Sequence, residues 1–295
     1  MKTKKLSVER HQSRIGFIFL IPYLIGLVYF FIIPFAKTVF YSFNDVSVRT
    51  GGGLQYTSKG GENYRYILFT DASFIKEVGN AMSKLLYVVP VVLIFSMFVA
   101  ILLNQKFKGR MLMRGLFFLP VIIASGVVIV IINRDIFVSD TVDQASTIFQ
   151  SGVIEDILIR TGLPTKLISM VSRASSQIFD LTWQSGIQIL LFISALQGIP
   201  RSYYEAAEVE GASVWDVFWK ITFPVLSPTS LLVIIYTMID SFTSETNGVM
   251  VSILSRFDNI QYGLASASAI VYFIVIIAVI GIIFGLFSKR VFYNQ

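Results

Sequence analysis

Long apolar runs separated by short polar stretches dominate the chain. A bilayer core about 30 Å thick is crossed by roughly 20 apolar residues in helical form. Four runs reach that length, 15–35, 85–103, 115–132 and 264–287. Two more, 181–197 and 229–247, are interrupted by polar residues. Polar groups in hydrocarbon are costly and turn toward protein or water, so these two segments are expected to cross the membrane with their polar positions facing inward. The pattern predicts an all-α membrane protein of six transmembrane helices. Residues 41–79 and 133–180 are left as outer segments. The first holds Gly51, Gly52 and Gly53 and predicts a loop with one short helix; the second contains a surface-helix candidate at 153–159. Neither is large enough to stand alone and no internal repeat is visible, so residues 1–295 are expected to form a single transmembrane domain with its core at 80–290.

Composition sharpens the class. Of 295 residues, 55% are hydrophobic and 14% charged, against a globular norm of roughly 25% charged, and the mean hydropathy is +0.72. With no cysteine, disulfides, thiolate metal sites and cysteine nucleophiles are excluded. The single histidine, His11, lies in the charged amino-terminal stretch, so no imidazole serves as base or ligand within the membrane. No catalytic or metal-binding residue is expected.

Charge sets the orientation. Lys2, Lys4, Lys5, Arg10 and Arg14 precede the first run; Lys106, Lys108, Arg110 and Arg114 follow the second; Arg201 and Lys220 lie between the fourth and fifth; Lys289 and Arg290 follow the last. Basic residues in short connections mark the cytoplasmic side, which puts both termini inside. The pI near 9.4 then reflects topology, and no nucleic-acid partner is needed to explain it. The first apolar run exceeds the roughly 7 to 15 residues of a secretory core and lacks a small-x-small site after it, so it is expected to remain as an uncleaved helix.

The cytoplasmic stretch 200–224 is the most informative. Pro200 ends the incoming helix, and Ser202 with Glu205 is a capping box that begins another. Gly211 stands where helices close in the left-handed conformation. Ser213 with Asp216 repeats the capping pattern, starting a helix expected to stop before Pro224. Ala206, Ala207 and Gly211 leave the first helix bare enough for another backbone to approach. Trp215, Phe218, Trp219 and Thr222 form a stripe on the second, expected to pack on the membrane helices or lie at the interface. Simpler readings stand beside these: Glu205 as a helix cap, Gly211 as a terminator, and Glu205, Glu208 and Glu210 as an ordinary solvated face.

At this point a family pattern is visible. Glu205-Ala206-Ala207, Gly211, Ile221 and Pro224, at their spacing, resemble the EAA loop of binding-protein-dependent ABC importer permeases. Leu196-Gln197-Gly198-Ile199-Pro200 and Pro228 are similar to the carbohydrate branch, and Phe19-Leu20-Ile21-Pro22, Pro34 and Tyr41-Ser42-Phe43-Asn44 resemble the first permease subunit of maltose- and glycerol-phosphate-type importers. Phe223 departs from the common leucine, and 133–180 is longer than the pattern. The resemblance implies a type I importer permease fold in which these six loop residues couple to an ATPase. It also implies a second permease, two ATPase subunits carrying ATP and Mg, an extracytoplasmic solute-binding protein, and a sugar or oligosaccharide as cargo.

Asp180, Gln184 and Gln188 repeat at i, i+4 and i+8 beside Trp183, and Thr237, Asp240, Ser241 and Ser244 share a face near Tyr236 and Phe242. Hydroxyl-rich ligands are held by such polar and aromatic groups, so the two stripes are candidates for a shared translocation path; polar residues merely tying helices together are the alternative. The chain has no G-x-x-x-x-G-K-[ST] sequence and offers no phosphate cradle of its own, so no cofactor is expected in it. An autonomous secondary transporter would show repeated halves and coupling-ion sites. An intramembrane aspartyl hydrolase would need a second deep carboxylate beside Asp240. Neither is visible.

Overall fold

The computed structural model describes residues 16–49, 53–105, 108–109, 111–115, 117, 167–168, 170–171, 181–182, 184–244 and 246–288. In chain order they form α1 (Gly16–Ser42), a hairpin of β1 (Asn44–Val48) and β2 (Leu54–Ser58), a short α2 (Glu62–Arg65) and α3 (Ala72–Asn104). There follow α4 (Gly186–Gln197), α5 (Arg201–Val209), α6 (Val214–Val217), α7 (Phe223–Thr243), α8 (Gly248–Asp258) and α9 (Tyr262–Ser288). Among the described residues four helical stretches are long and apolar enough to cross a membrane: α1, α3, Val214–Asp258 and α9. The predicted third span, 115–132, falls outside the described residues except at 115 and 117, as does the surface-helix candidate 153–159. Within the predicted fourth span, the continuous helix α4 is 12 residues long.

Two prolines decide how the helices run. Pro34 and Pro224 have no N–H to donate and their rings crowd the carbonyl four residues back. In both cases the chain answers with a π turn immediately upstream: Val28–Ile32 before Pro34 and Phe218–Thr222 before Pro224, closed by the Ile33 N–H to the Val28 carbonyl and by the Phe223 N–H to the Phe218 carbonyl. A π turn absorbs an interruption without ending the helix. The expected stop before Pro224 is therefore corrected. The chain from Val214 to Thr243 winds without a break.

Contacts divide the chain into two units, Met1–Ser83 with Ser241–Val279, and Lys84–Asp240 with Ile280–Gln295. In the first unit the predicted loop at 41–79 contains an antiparallel hairpin with Asn44 opposite Ser58 and Val48 opposite Leu54. Its turn closes with the Arg49 N–H donating to the Gly53 carbonyl at 3.0 Å, at a glycine with φ +89. The hairpin is seated by Asn63, whose Nδ2 donates to the carbonyls of Ser42 at 3.0 Å and Asn44 at 3.2 Å. Gly263, in the first turn of α9, lies so close to the Asn44 carbonyl that a Cβ would overlap it. Tyr272 donates its hydroxyl to the Phe242 carbonyl at 3.1 Å and the two rings meet edge to face.

A half-buried ion pair lies in the same unit. Asp71 caps α3 by accepting from the Phe74 N–H at 3.1 Å and the Ser73 hydroxyl at 2.6 Å. Arg256 of α8 pairs with Asp71, donates to the Ser268 hydroxyl on α9, and lies over the Phe74 ring at 5.5 Å.

The second unit is built on an apolar cluster from α3, α4 and α7. Its buried members are Val99, Ala100, Leu103, Ile189, Phe192, Ile193, Leu196, Ile199, Leu226 and Val233, and Tyr204 packs against it. Between helices surrounded by lipid, close packing rather than expulsion of water provides the attraction.

Candidate functional site

The stretch 200–224 folds as two helices about a glycine, with the first start shifted from the expectation. Pro200, at ψ 136, is the residue before α5, and no side chain caps that end. Ser202 is thus the second helical residue and the Ser202–Glu205 capping box does not form. A proline-fixed φ suits a helix entry and needs no donor. The other end behaves as its residues require. Gly211 adopts φ +73, its N–H donates to the Glu208 carbonyl at 3.0 Å, and the Ala212 N–H reaches back to the Ala207 carbonyl at 2.9 Å. This pair of bonds is the Schellman closure. Space around Gly211 is open. Ser213 then caps α6, accepting from the Asp216 N–H at 3.2 Å.

Glu205, Ala206, Glu208, Glu210 and Gly211 are exposed, while Ala207 is buried. The bare surface is therefore Ala206 and Gly211, and Ala207 packs inward. Ile221 and Pro224 are half-buried. Tyr204 on α5 and Thr222 at the end of the π turn bring their hydroxyls to 3.4 Å, joining the exposed helix to the foot of α7. Trp215 and Trp219 are not packed against the bundle: they are 70% and 46% exposed and lie edge to face on one another at 5.6 Å. Phe218 and Phe223 flank Trp219 at 5.0 and 5.2 Å and complete the aromatic face.

The two polar stripes separate on inspection. Asp180 and Trp183 lie outside the described residues. Gln188 and Thr237 are buried, and the Gln188 amide donates to the Thr237 hydroxyl at 3.2 Å, tying α4 to α7. Among the described residues Gln188 Oε1 meets no donor. Gln184 and Asp240 are exposed, and Tyr236 and Ser241 half-buried. Ser244 lies beyond the end of α7, where its hydroxyl meets that of Thr246 at 2.9 Å and shapes the turn. Phe242 is buried against Tyr272. The stripes thus combine an interhelical tie, a helix-end turn and two side chains directed away from their own chain.

Sequence reasoning missed Asp71 and Arg256. Burial raises the Asp71 carboxyl, but the Ser73 hydroxyl, the Phe74 N–H and the Arg256 guanidinium outweigh it and hold it below the ordinary carboxylate value. Serine at 73 following aspartate at 71 is a capping signal at the start of an apolar run; nothing local points to a partner 185 residues away.

The described residues define a multi-pass helical membrane protein with an exposed acidic helix joined through Gly211 to a continuous membrane-spanning one. Comparison with known proteins gives the family. Residues 181–293 match the family described as binding-protein-dependent transport system inner membrane component. The multiple sugar-binding transport system permease protein MsmF of Streptococcus mutans is 31% identical over 88% of this chain and 91% of that protein. The probable ABC transporter permease protein YesP of Bacillus subtilis is 29% identical over 99% of this chain and 96% of its own length. In fold, the chain is similar to one in the crystal structure of a bacterial ABC transporter involved in the import of the acidic polysaccharide alginate, with a TM-score of 0.64 at 18% identity, covering 98% of this chain and 100% of that one. The chain belongs to the binding-protein-dependent ABC importer permeases. It is a multi-pass permease subunit of the cell membrane, and in this family the ATPase is a separate subunit.

Proposed function

We propose that this permease carries a sugar or oligosaccharide inward, paired with a second, similar permease, with six spans and both termini cytoplasmic. Two ATPase subunits hold the ATP and Mg, and an extracytoplasmic solute-binding protein delivers the cargo. Support for the cargo class comes from the relatives, which include permeases named for multiple sugars, arabinooligosaccharides and lactose. The observation that carries the coupling is the continuity of α6, the π turn and α7, with α5 hinged to it through Gly211 and joined again by Tyr204 and Thr222.

In this reading α5 sits in a cleft of the ATPase, with Glu205, Glu208 and Glu210 facing its basic side chains. Closure of the ATPases on ATP displaces α5, and because α6 and α7 wind as one rod the movement reaches the membrane-spanning part of α7. Gln184 and Asp240 face the path used by the cargo, with Tyr236 on the same helix as Asp240; Asp180, Trp183 and Ser241 belong to the same polar stripes in the sequence. The test is reconstitution of the permease pair with its ATPase, and of the Gly211→Asp variant, in vesicles loaded with ATP and supplied outside with the solute-binding protein. Uptake of a labelled oligosaccharide should require the ATPase, and Gly211→Asp should insert normally but lose uptake. Uptake by the permease pair alone, or full uptake by Gly211→Asp, would overturn the reading.

A further inference from the structure

We infer that Arg114 is a positioning residue for coupling: its guanidinium bolts the end of α3 to the end of α4 at the place from which α5 emerges. The inference rests on the reading of α5 as the helix that couples to the ATPase. Arg114 Nη2 donates to the Leu103 carbonyl at 3.0 Å, in the last turn of α3, where carbonyls have no helical partner. The Gln197 side-chain oxygen, in the amide orientation its surroundings require, accepts from Nη1 at 3.1 Å and Nη2 at 3.2 Å. Gln197 is the last residue of α4. One planar fork therefore spans two helix ends, a geometry suited to arginine and not to lysine, and its charge complements both carboxyl-terminal dipoles.

The bolt acts close to the lever. Residues 198–200 alone separate Gln197 from α5, and they are tightly wound, with the Gly198 N–H donating to Ser194 and Ala195 and the Ile199 N–H to Leu196. Leu103, Leu196 and Ile199 are buried in one cluster, and Tyr204 of α5 packs on it. The direction in which α5 leaves the bundle is set by how the ends of α3 and α4 meet, and Arg114 is the polar group that holds those ends. Its Nε is buried and, among the described residues, meets no acceptor. An orphan buried donor lowers stability, so the side chain is placed for where its two Nη atoms reach and not to satisfy every donor.

The experiment compares wild type, Arg114→Gln, Arg114→Lys, Gln197→Ala and Gln197→Glu in the assembled complex, measuring ATPase co-purification, ATP hydrolysis and cargo moved per ATP. Arg114→Gln should keep the ATPase attached while cargo moved per ATP falls about tenfold, the shift in a two-state equilibrium expected from losing a charge-assisted hydrogen bond. Arg114→Lys and Gln197→Ala should fall part of the way, and Gln197→Glu, which keeps an acceptor, should match wild type. An unchanged ratio in Arg114→Gln overturns the inference. If that variant does not assemble, Gln197→Ala decides: a normal ratio overturns the inference and a lowered one supports it. A wild-type complex that never retains its ATPase would instead refute the coupling reading.

Discussion

The Gln188 amide and the Thr237 hydroxyl meet at 3.2 Å with both side chains buried, so two polar residues on crossing helices face one another and not an open path. Removing one partner leaves the other unsatisfied, and in membrane proteins such interhelical bonds average about 0.6 kcal/mol. Thr237→Val and Gln188→Ala should therefore lower the melting temperature of the complex in lipid nanodiscs by a small amount and leave the apparent KM for cargo unchanged. A shift in KM at constant stability would assign the pair to cargo binding.

The exposed members of the same stripes should do the opposite. Gln184→Ala and Asp240→Asn alter side chains that their own chain does not cover. We expect them to change KM or cargo-stimulated ATP hydrolysis while ATPase attachment and thermal stability stay at wild-type values. Dissociation of the complex would identify these residues as subunit contacts.

Gly211 and the two serines form a graded series. At φ +73 a Cβ is strained by about 1 kcal/mol or somewhat more, and asparagine tolerates the conformation better than alanine. Uptake should fall in the order glycine, asparagine, alanine. Ser213→Ala removes a genuine cap and should destabilise the loop by about 1 kcal/mol, whereas Ser202→Ala, which caps nothing, should fall within experimental error. Hydrogen exchange across 200–224 reads both.

The Asp71–Arg256 pair gives a pH dependence. Asp71 titrates below the ordinary carboxylate value, so its ionised form is favoured in the folded state. Stability from it is complete above about pH 4 and declines as pH falls through its folded value. Arg256→Met should destabilise by about 1 to 3 kcal/mol by leaving a half-buried carboxylate without its cation, and adding Asp71→Asn should recover much of that loss. Melting curves between pH 3 and 7 check both; additive effects would refute the pairing.

What the sequence makes legible is what neighbours in the chain decide. The apolar runs that become α1, α3 and α9, the left-handed Gly211 and the Ser213 cap all depend on residues within a turn or two. The hairpin is hard to read because each strand is only five residues long, so the alternation Val46-Ser47-Val48 and Leu54-Gln55-Tyr56 is too brief to stand out, although three glycines signal its turn. Pro224 misled for a physical reason: the proline rule assumes an α-helical ladder, and the π turn supplies another. Gln188 and Thr237 fall on polar stripes by period alone, and period does not distinguish a face that meets a cavity from one that meets another helix; only the folded chain brings the two side chains to 3.2 Å. Asp71 and Arg256 come together only in the folded chain.

Gly263 carries a consequence of another kind. It has no side chain to take part in chemistry, and it abuts the Asn44 carbonyl that seats the hairpin. An alanine introduced there, by chance or by design, would push that seat aside. A growth assay on the transported nutrient would score the variant as deficient, and its defect would lie in how the β1–β2 ornament is mounted.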